Sequence, residues 1–163
     1  MSALLIEKAE RLIALAKDKK LTLGTAESCT GGLIGATLTS VSGASAVFFG
    51  GIISYDNSVK ETVLGVKKET LLTVGAVSHD TAVQMAEGAR RVLDTDLAVS
   101  VTGIAGPTGG TPTKPVGTVF IAVAGKGGKM LCTENHFLGD RDAVRAQTVE
   151  KAITLLTEAV ENA

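Results

Sequence analysis

Ser28 and Lys60 are the residues of this chain whose types could do nucleophilic chemistry together. Ser28 lies in Ala26-Glu27-Ser28-Cys29-Thr30-Gly31-Gly32, where a short apolar segment runs into a stretch of small residues. A hydroxyl at such a strand-to-helix turn is held by the turn. The N–H groups of a helix N-terminus there can stabilise an oxyanion or bind a phosphate. Gly31 and Gly32 let a substrate come close to the backbone, and with Thr30 they form the candidate substrate side of the turn. A plain helix cap at Ser28 or Thr30 is the alternative, since these residue types are favoured at caps. A serine nucleophile also needs a base. His79 falls in the first turn of a helix and His136 in a late strand, so a Ser-His-Asp arrangement is a poor fit. Gly31 occupies the fourth place of a Ser-x-x-Lys pattern. The base must come from another loop, and Lys60 in Tyr55-Asp56-Asn57-Ser58-Val59-Lys60 leads. To act as a base it must be neutral, which requires burial or a neighbouring cation. Most lysines are instead solvated. Tyr55, beside it, is a candidate assistant or a core residue with a wet hydroxyl, and Asn57 is a candidate substrate contact.

Cys29 is a rival nucleophile, since a helix N-terminus lowers a thiol pKa. A neighbour in sequence points elsewhere, however, and a small buried hydrophobe is the other reading. The long loop Thr102–Pro115 holds all three prolines. It lacks the Gly-Lys-Ser/Thr of a P-loop and is not Gly-x-Gly-x-x-Gly. Thr102, Gly103 and Gly106 still offer a hydroxyl and backbone N–H groups to an anion. Arg141, in Gly139-Asp140-Arg141, supplies a cation that could clamp a carboxylate or phosphate, or pair with Asp140 or Asp142 on the surface. No spacing of His, Cys, Asp or Glu suggests a metal, and no cofactor is expected.

These residues need a frame. The 163 residues suffice for one domain with a real core. With 3% aromatics that core must be Ala, Val, Leu and Ile. Sixteen bases balance 17 acids without a basic stripe, so nucleic acid is not an expected partner. The two widely separated cysteines are no disulfide framework and fit a reducing compartment. The charged N-terminus is not a signal peptide, and no apolar run is long enough for a membrane span, so a cytoplasmic protein is expected. Periodicity predicts helices over 3–18, 31–41, 58–64, 68–72, 79–93 and 141–161. It predicts strands over 21–26, 47–55, 97–101, 116–124 and 130–137, the last two joined as a hairpin by Gly125-Lys126-Gly127-Gly128. Strands that alternate with helices and then close in a hairpin predict an α/β fold: a three-layer α/β/α sandwich with a mixed central sheet. The apolar face of the 31–41 helix could pack on a second copy, giving a homodimer or higher homo-oligomer.

Taken together, the segments 26–32, Gly43-Ala44-Ser45, Tyr55-x-Asn57-x-x-Lys60, Gly75-Ala76-Val77-Ser78, Thr102-Gly103-Ile104-Ala105-Gly106-Pro107, Lys114-Pro115-Val116-Gly117-Thr118-Val119 and Gly139-Asp140-Arg141 resemble the CinA C-terminal domain family over about residues 5 to 160. Asp56 and His79 stand where other polar residues would be expected. Larger members of that family carry a further N-terminal domain, and 1–163 is expected to be only the amidase-like part. Its stand-alone members are similar to PncC-type nicotinamide-nucleotide amidohydrolases. The resemblance implies metal-independent hydrolysis of nicotinamide mononucleotide to nicotinate mononucleotide and ammonia. It implies Ser28 as nucleophile, Lys60 as base and Tyr55 as assistant, with Thr102 and Arg141 in the site. A non-catalytic pyridine-nucleotide sensor or partner domain using the same loops is the alternative.

Overall fold

The computed structural model describes residues 1–163. Six α-helices and five strands follow in the order α1 (Ala3–Lys19), β1 (Leu23–Glu27), α2 (Leu33–Thr39), β2 (Phe48–Ile53), α3 (Asn57–Thr62), α4 (Lys68–Thr73), α5 (His79–Leu93), β3 (Leu97–Gly103), β4 (Thr118–Gly125), β5 (Met130–His136) and α6 (Arg141–Glu161). The strands form one mixed sheet in the order β2-β1-β3-β4-β5, parallel across β2, β1 and β3 and antiparallel from β3 to β5. The turn Lys126–Gly128 closes the expected hairpin.

Helices cover both faces. On one, α1, α2 and α6 bury Leu12, Ile34, Val149, Ile153 and Leu156 against Leu23, Val99, Val101 and Ile121 of the sheet. On the other, α5 places Met85 and Ala89 against Ala26 and Ala98, and Ala82 and Ala86 against Phe120 and Ala122. Strands β1 and β4 are buried along their whole length and β3 along all but its last residue, which explains why apolar residues stand on both faces of β3 and β4 without alternation. Ser100 fastens β3 to α5 by donating to the Ala82 carbonyl at 2.6 Å. No helix is long and apolar enough to cross a membrane.

Where α5 crosses residue 64 the approach is very close. A Cβ on Gly88 would lie 1.9 Å from the Leu64 carbonyl oxygen. Gly88→Ala is therefore expected to destabilise the fold by about 1–3 kcal/mol, despite the helix propensity that alanine adds. A denaturant midpoint at or above that of the wild type would show that the helix can shift.

One element departs from expectation in a way that matters for the site. The helix read over 31–41 is only Leu33–Thr39. Gly31 and Gly32 adopt φ of 58° and 106°, so residues 28–32 form a turn that the helix cannot absorb. The apolar side chains Ile34 and Leu38 of this short helix are buried in the chain's own core, while Leu33 and Ala36 stay exposed.

Candidate active site

Parallel β1, β2 and β3 end on the same edge of the sheet, where loops gather in open α/β folds. β4 starts there and β5 ends there, because both alternate in direction. The turn 28–32, the segment 54–60, the loop after β3 and the start of α6 therefore converge. Short backbone bonds fix the meeting: Ser28 N–H donates to the Val101 carbonyl at 3.1 Å, and Ser54 N–H to the Glu27 carbonyl at 2.8 Å.

Lys60 is brought in by α3. Asp56 caps that helix, accepting from the Ser58 N–H at 3.0 Å and the Ser58 hydroxyl at 2.6 Å. These bonds hold the Asp56 carboxyl below the usual carboxylate range. Starting the helix at Asn57 places Lys60 one turn in, with its side chain reaching back beneath the strand ends. It is only 1% exposed. Its Nζ lies 2.9 Å from Ser28 Oγ, 2.8 Å from the Ser54 carbonyl and 3.0 Å from the Tyr55 carbonyl. Burial pushes the Lys60 pKa down, and only the weaker pulls of Cys29 and Asp56 oppose it. A neutral amine has two N–H donors and one lone pair. Two carbonyls can take the donors, and the lone pair then faces the Ser28 hydroxyl, as a base requires.

Ser28 and Lys60 open into a cleft of about 320 Å³. Of the expected site residues, Tyr55, Asn57, Thr102, Gly103, Gly106 and Arg141 line it with them. Thr30, Gly31 and Gly32 are not among its walls. Thr30 is fully buried and gives its hydroxyl to Glu27 at 2.5 Å, and the two glycines serve the bend of the turn. Thr102 donates to the Ala76 carbonyl at 2.8 Å, which ties the 75–78 turn to the cleft. Tyr55 meets Lys60 through its backbone. Its phenol is exposed and lies 3.4 Å from Arg141, while its carbonyl grips Lys60. Arg141 also donates to the Gly106 carbonyl at 2.8 Å. No Asp or Glu lines the cleft, so its fixed charge is cationic. No group of three or more His, Cys, Asp or Glu side chains is placed to hold a metal.

Two residues near Ser28 escaped the sequence reading. Glu27, 2% exposed, accepts from the Thr30 hydroxyl and from the N–H groups of Ile34 and Gly35 at 2.9 and 3.0 Å. The short α2 therefore spends these first-turn amides on a carboxylate of the chain itself, not on a ligand. Arg145, one turn beyond Arg141, holds the carbonyls of Cys29 and Thr30. Neither has a sequence signal beyond lying in or near the quoted segments.

Residues 6–160 match the CinA C-terminal domain. The chain belongs to that family. Its CinA-like relative in Leptospira borgpetersenii serovar Hardjo-bovis (strain L550) is 52% identical over 147 residues, which is 90% of this chain and 35% of the relative. A CinA-like protein of Thermotoga neapolitana is 44% identical over 154 residues, again 90% of this chain and 36% of the other. The chain thus spans about a third of the curated relatives it matches. Among solved structures, competence/damage inducible protein CihA from Agrobacterium tumefaciens is similar over 99% of this chain and 98% of its own, with 43% identity and a TM-score of 0.95. A CinA superfamily protein from Klebsiella pneumoniae, KP700603, gives 33% identity and a TM-score of 0.93, over 98% of this chain and 99% of its own. These CinA relatives share the α/β sandwich with its mixed sheet.

Proposed function

We propose that this CinA-family domain hydrolyses the carboxamide of nicotinamide mononucleotide to nicotinate mononucleotide and ammonia, by acyl transfer through Ser28. The observation that carries the reading is the buried Lys60 amine, 2.9 Å from Ser28 Oγ, with two backbone carbonyls for its own protons. Lys60 takes the Ser28 proton as Oγ bonds to the amide carbon. The tetrahedral oxyanion needs N–H donors. Those of Thr30, Gly32, Ala105 and Gly106 have no acceptor within the chain. Lys60 then returns its proton to the leaving nitrogen, the C–N bond breaks, and ammonia departs. Water attacks the ester, Lys60 removes its proton, and Ser28 Oγ recovers a proton as the carboxylic acid leaves. A pyridinium ring withdraws electrons and makes the carboxamide carbon more electrophilic. A cleft whose fixed charge is Arg141, with no carboxylate, suits a substrate carrying a phosphate.

The direct test is ammonia release in the presence of a chelator, from nicotinamide mononucleotide beside free nicotinamide. Release from the nucleotide, undiminished by chelator and far slower from the free base, supports the reading. Binding of the nucleotide without ammonia release would make the domain a sensor.

Cys29 also lines the cleft, but burial pushes its thiol up to about 11, so little thiolate exists near neutrality. Cys29→Ala is expected to keep kcat within about threefold of the wild type. A loss as deep as that from Ser28→Ala would move the nucleophile to the sulfur.

A further inference from the structure

Two arginines stand one turn apart on α6, and the structure gives them different work. Arg141 faces the cleft. Arg145 turns to the loop that carries the nucleophile: its Nε donates to the Cys29 carbonyl at 3.1 Å and its Nη2 to the Thr30 carbonyl at 3.1 Å. It does not line the cleft. Glu27 in turn holds the Thr30 hydroxyl and the start of α2. Between these two grips, residues 28–32 have little regular structure of their own. Gly31 and Gly32 are the most permissive backbone in the turn, and only two local backbone bonds hold it, Gly31 N–H to the Ser28 carbonyl and Leu33 N–H to the Thr30 carbonyl, each at 3.1 Å.

We infer that Arg145 is a positioning residue, which acts on catalysis through the Cys29 and Thr30 peptides and not through the substrate. The inference rests on Ser28 being the nucleophile. In a trans peptide the C=O and N–H point in opposite directions. Fastening the Cys29 carbonyl to Arg145 turns the Thr30 N–H away from α6, and that N–H has no acceptor in the chain. Fastening the Thr30 carbonyl turns the Gly31 N–H likewise away from the guanidinium, and it closes the turn on the Ser28 carbonyl at 3.1 Å. One guanidinium, planar and always charged, thereby sets two successive peptide planes next to Ser28. Lysine has a single point of charge and can hold one carbonyl well, not both in a fixed fork.

The experiment sets Arg145→Ala and Arg145→Lys beside Arg141→Ala in ammonia release from nicotinamide mononucleotide, with hydrogen exchange of residues 28–33 measured on each protein. Arg145→Ala is expected to lower kcat by about 100-fold with KM changed by less than about threefold, because misplacing the nucleophile costs turnover and not binding. Arg145→Lys should recover part of the loss. Arg141→Ala should show the reverse split, with KM raised. Exchange at 28–33 should quicken in Arg145→Ala while β1 and the middle of α6 stay protected. An unchanged kcat, a rise in KM alone, or unchanged exchange at 28–33 would each overturn the inference. If the wild type releases no ammonia, the amidase reading falls. The exchange result still decides whether Arg145 holds the turn.

Discussion

Ser28→Ala is expected to lower kcat for ammonia release by about 10⁴-fold or more, while nicotinamide mononucleotide still binds within about threefold of the wild-type affinity. The substitution removes one atom, Oγ, and leaves the cleft and Arg141 in place. Lys60 loses one of its three hydrogen-bond partners and keeps the Ser54 and Tyr55 carbonyls. The fold should therefore be little affected, so lost turnover cannot be blamed on lost protein. Steady-state kinetics with calorimetric binding on the same preparation checks both halves. A rate within tenfold of the wild type would show that Ser28 is not the nucleophile.

Lys60→Met should lower kcat by about 10³-fold, in the middle of the range for loss of a general base. Methionine nearly matches the lysine stem in size, but leaves the Ser54 and Tyr55 carbonyls without their donor. Each orphaned carbonyl costs about 1–3 kcal/mol, offset by removing an amine from a buried site. Lys60→Arg should rescue nothing, because a guanidinium does not give up its proton. The pH dependence follows from the direction of the Lys60 shift. Burial lowers its pKa in the folded state, so the folded protein gives up this proton before the unfolded chain does. Between the two values the unfolded state binds more protons, and stability rises with pH. Activity rises over the same ionisation, since only the neutral amine can act as base. In Lys60→Met that limb of the activity profile should vanish.

The frame of this site was legible because its signals are local. The short, mostly apolar run Leu97–Val101 suits a strand buried on both faces, and the 3.6-residue period of 79–93 marks a helix with one apolar side. Neither histidine had a suitable place, which made Lys60 the leading candidate for a base, and the family resemblance implied its pairing with Ser28. What stayed hidden was decided by contacts without a sequence period. Arg145 meets Cys29 across 116 positions, and nothing in α6 distinguishes it from a solvated arginine. Glu27 reads as the last residue of a strand, yet it is buried, with a hydroxyl and two amides on its carboxylate. The substrate contacts placed on Thr30, Gly31 and Gly32 presupposed a helix starting at the turn. Positive φ at both glycines delays that helix to Leu33, and the first-turn amides of Ile34 and Gly35 meet Glu27. Tyr55 drew notice for its phenol, while the structure sets its backbone carbonyl on Lys60. A backbone role of that kind leaves no mark on residue choice.

The central claim is that a neutral Lys60 activates Ser28 to cleave an amide. Its most direct test is kcat/KM for ammonia release from nicotinamide mononucleotide, followed from about pH 5 to about pH 10. Release is expected to climb through one ionisation lying below the ordinary lysine range, and then to level. No release, or a rate flat across that range, would contradict it.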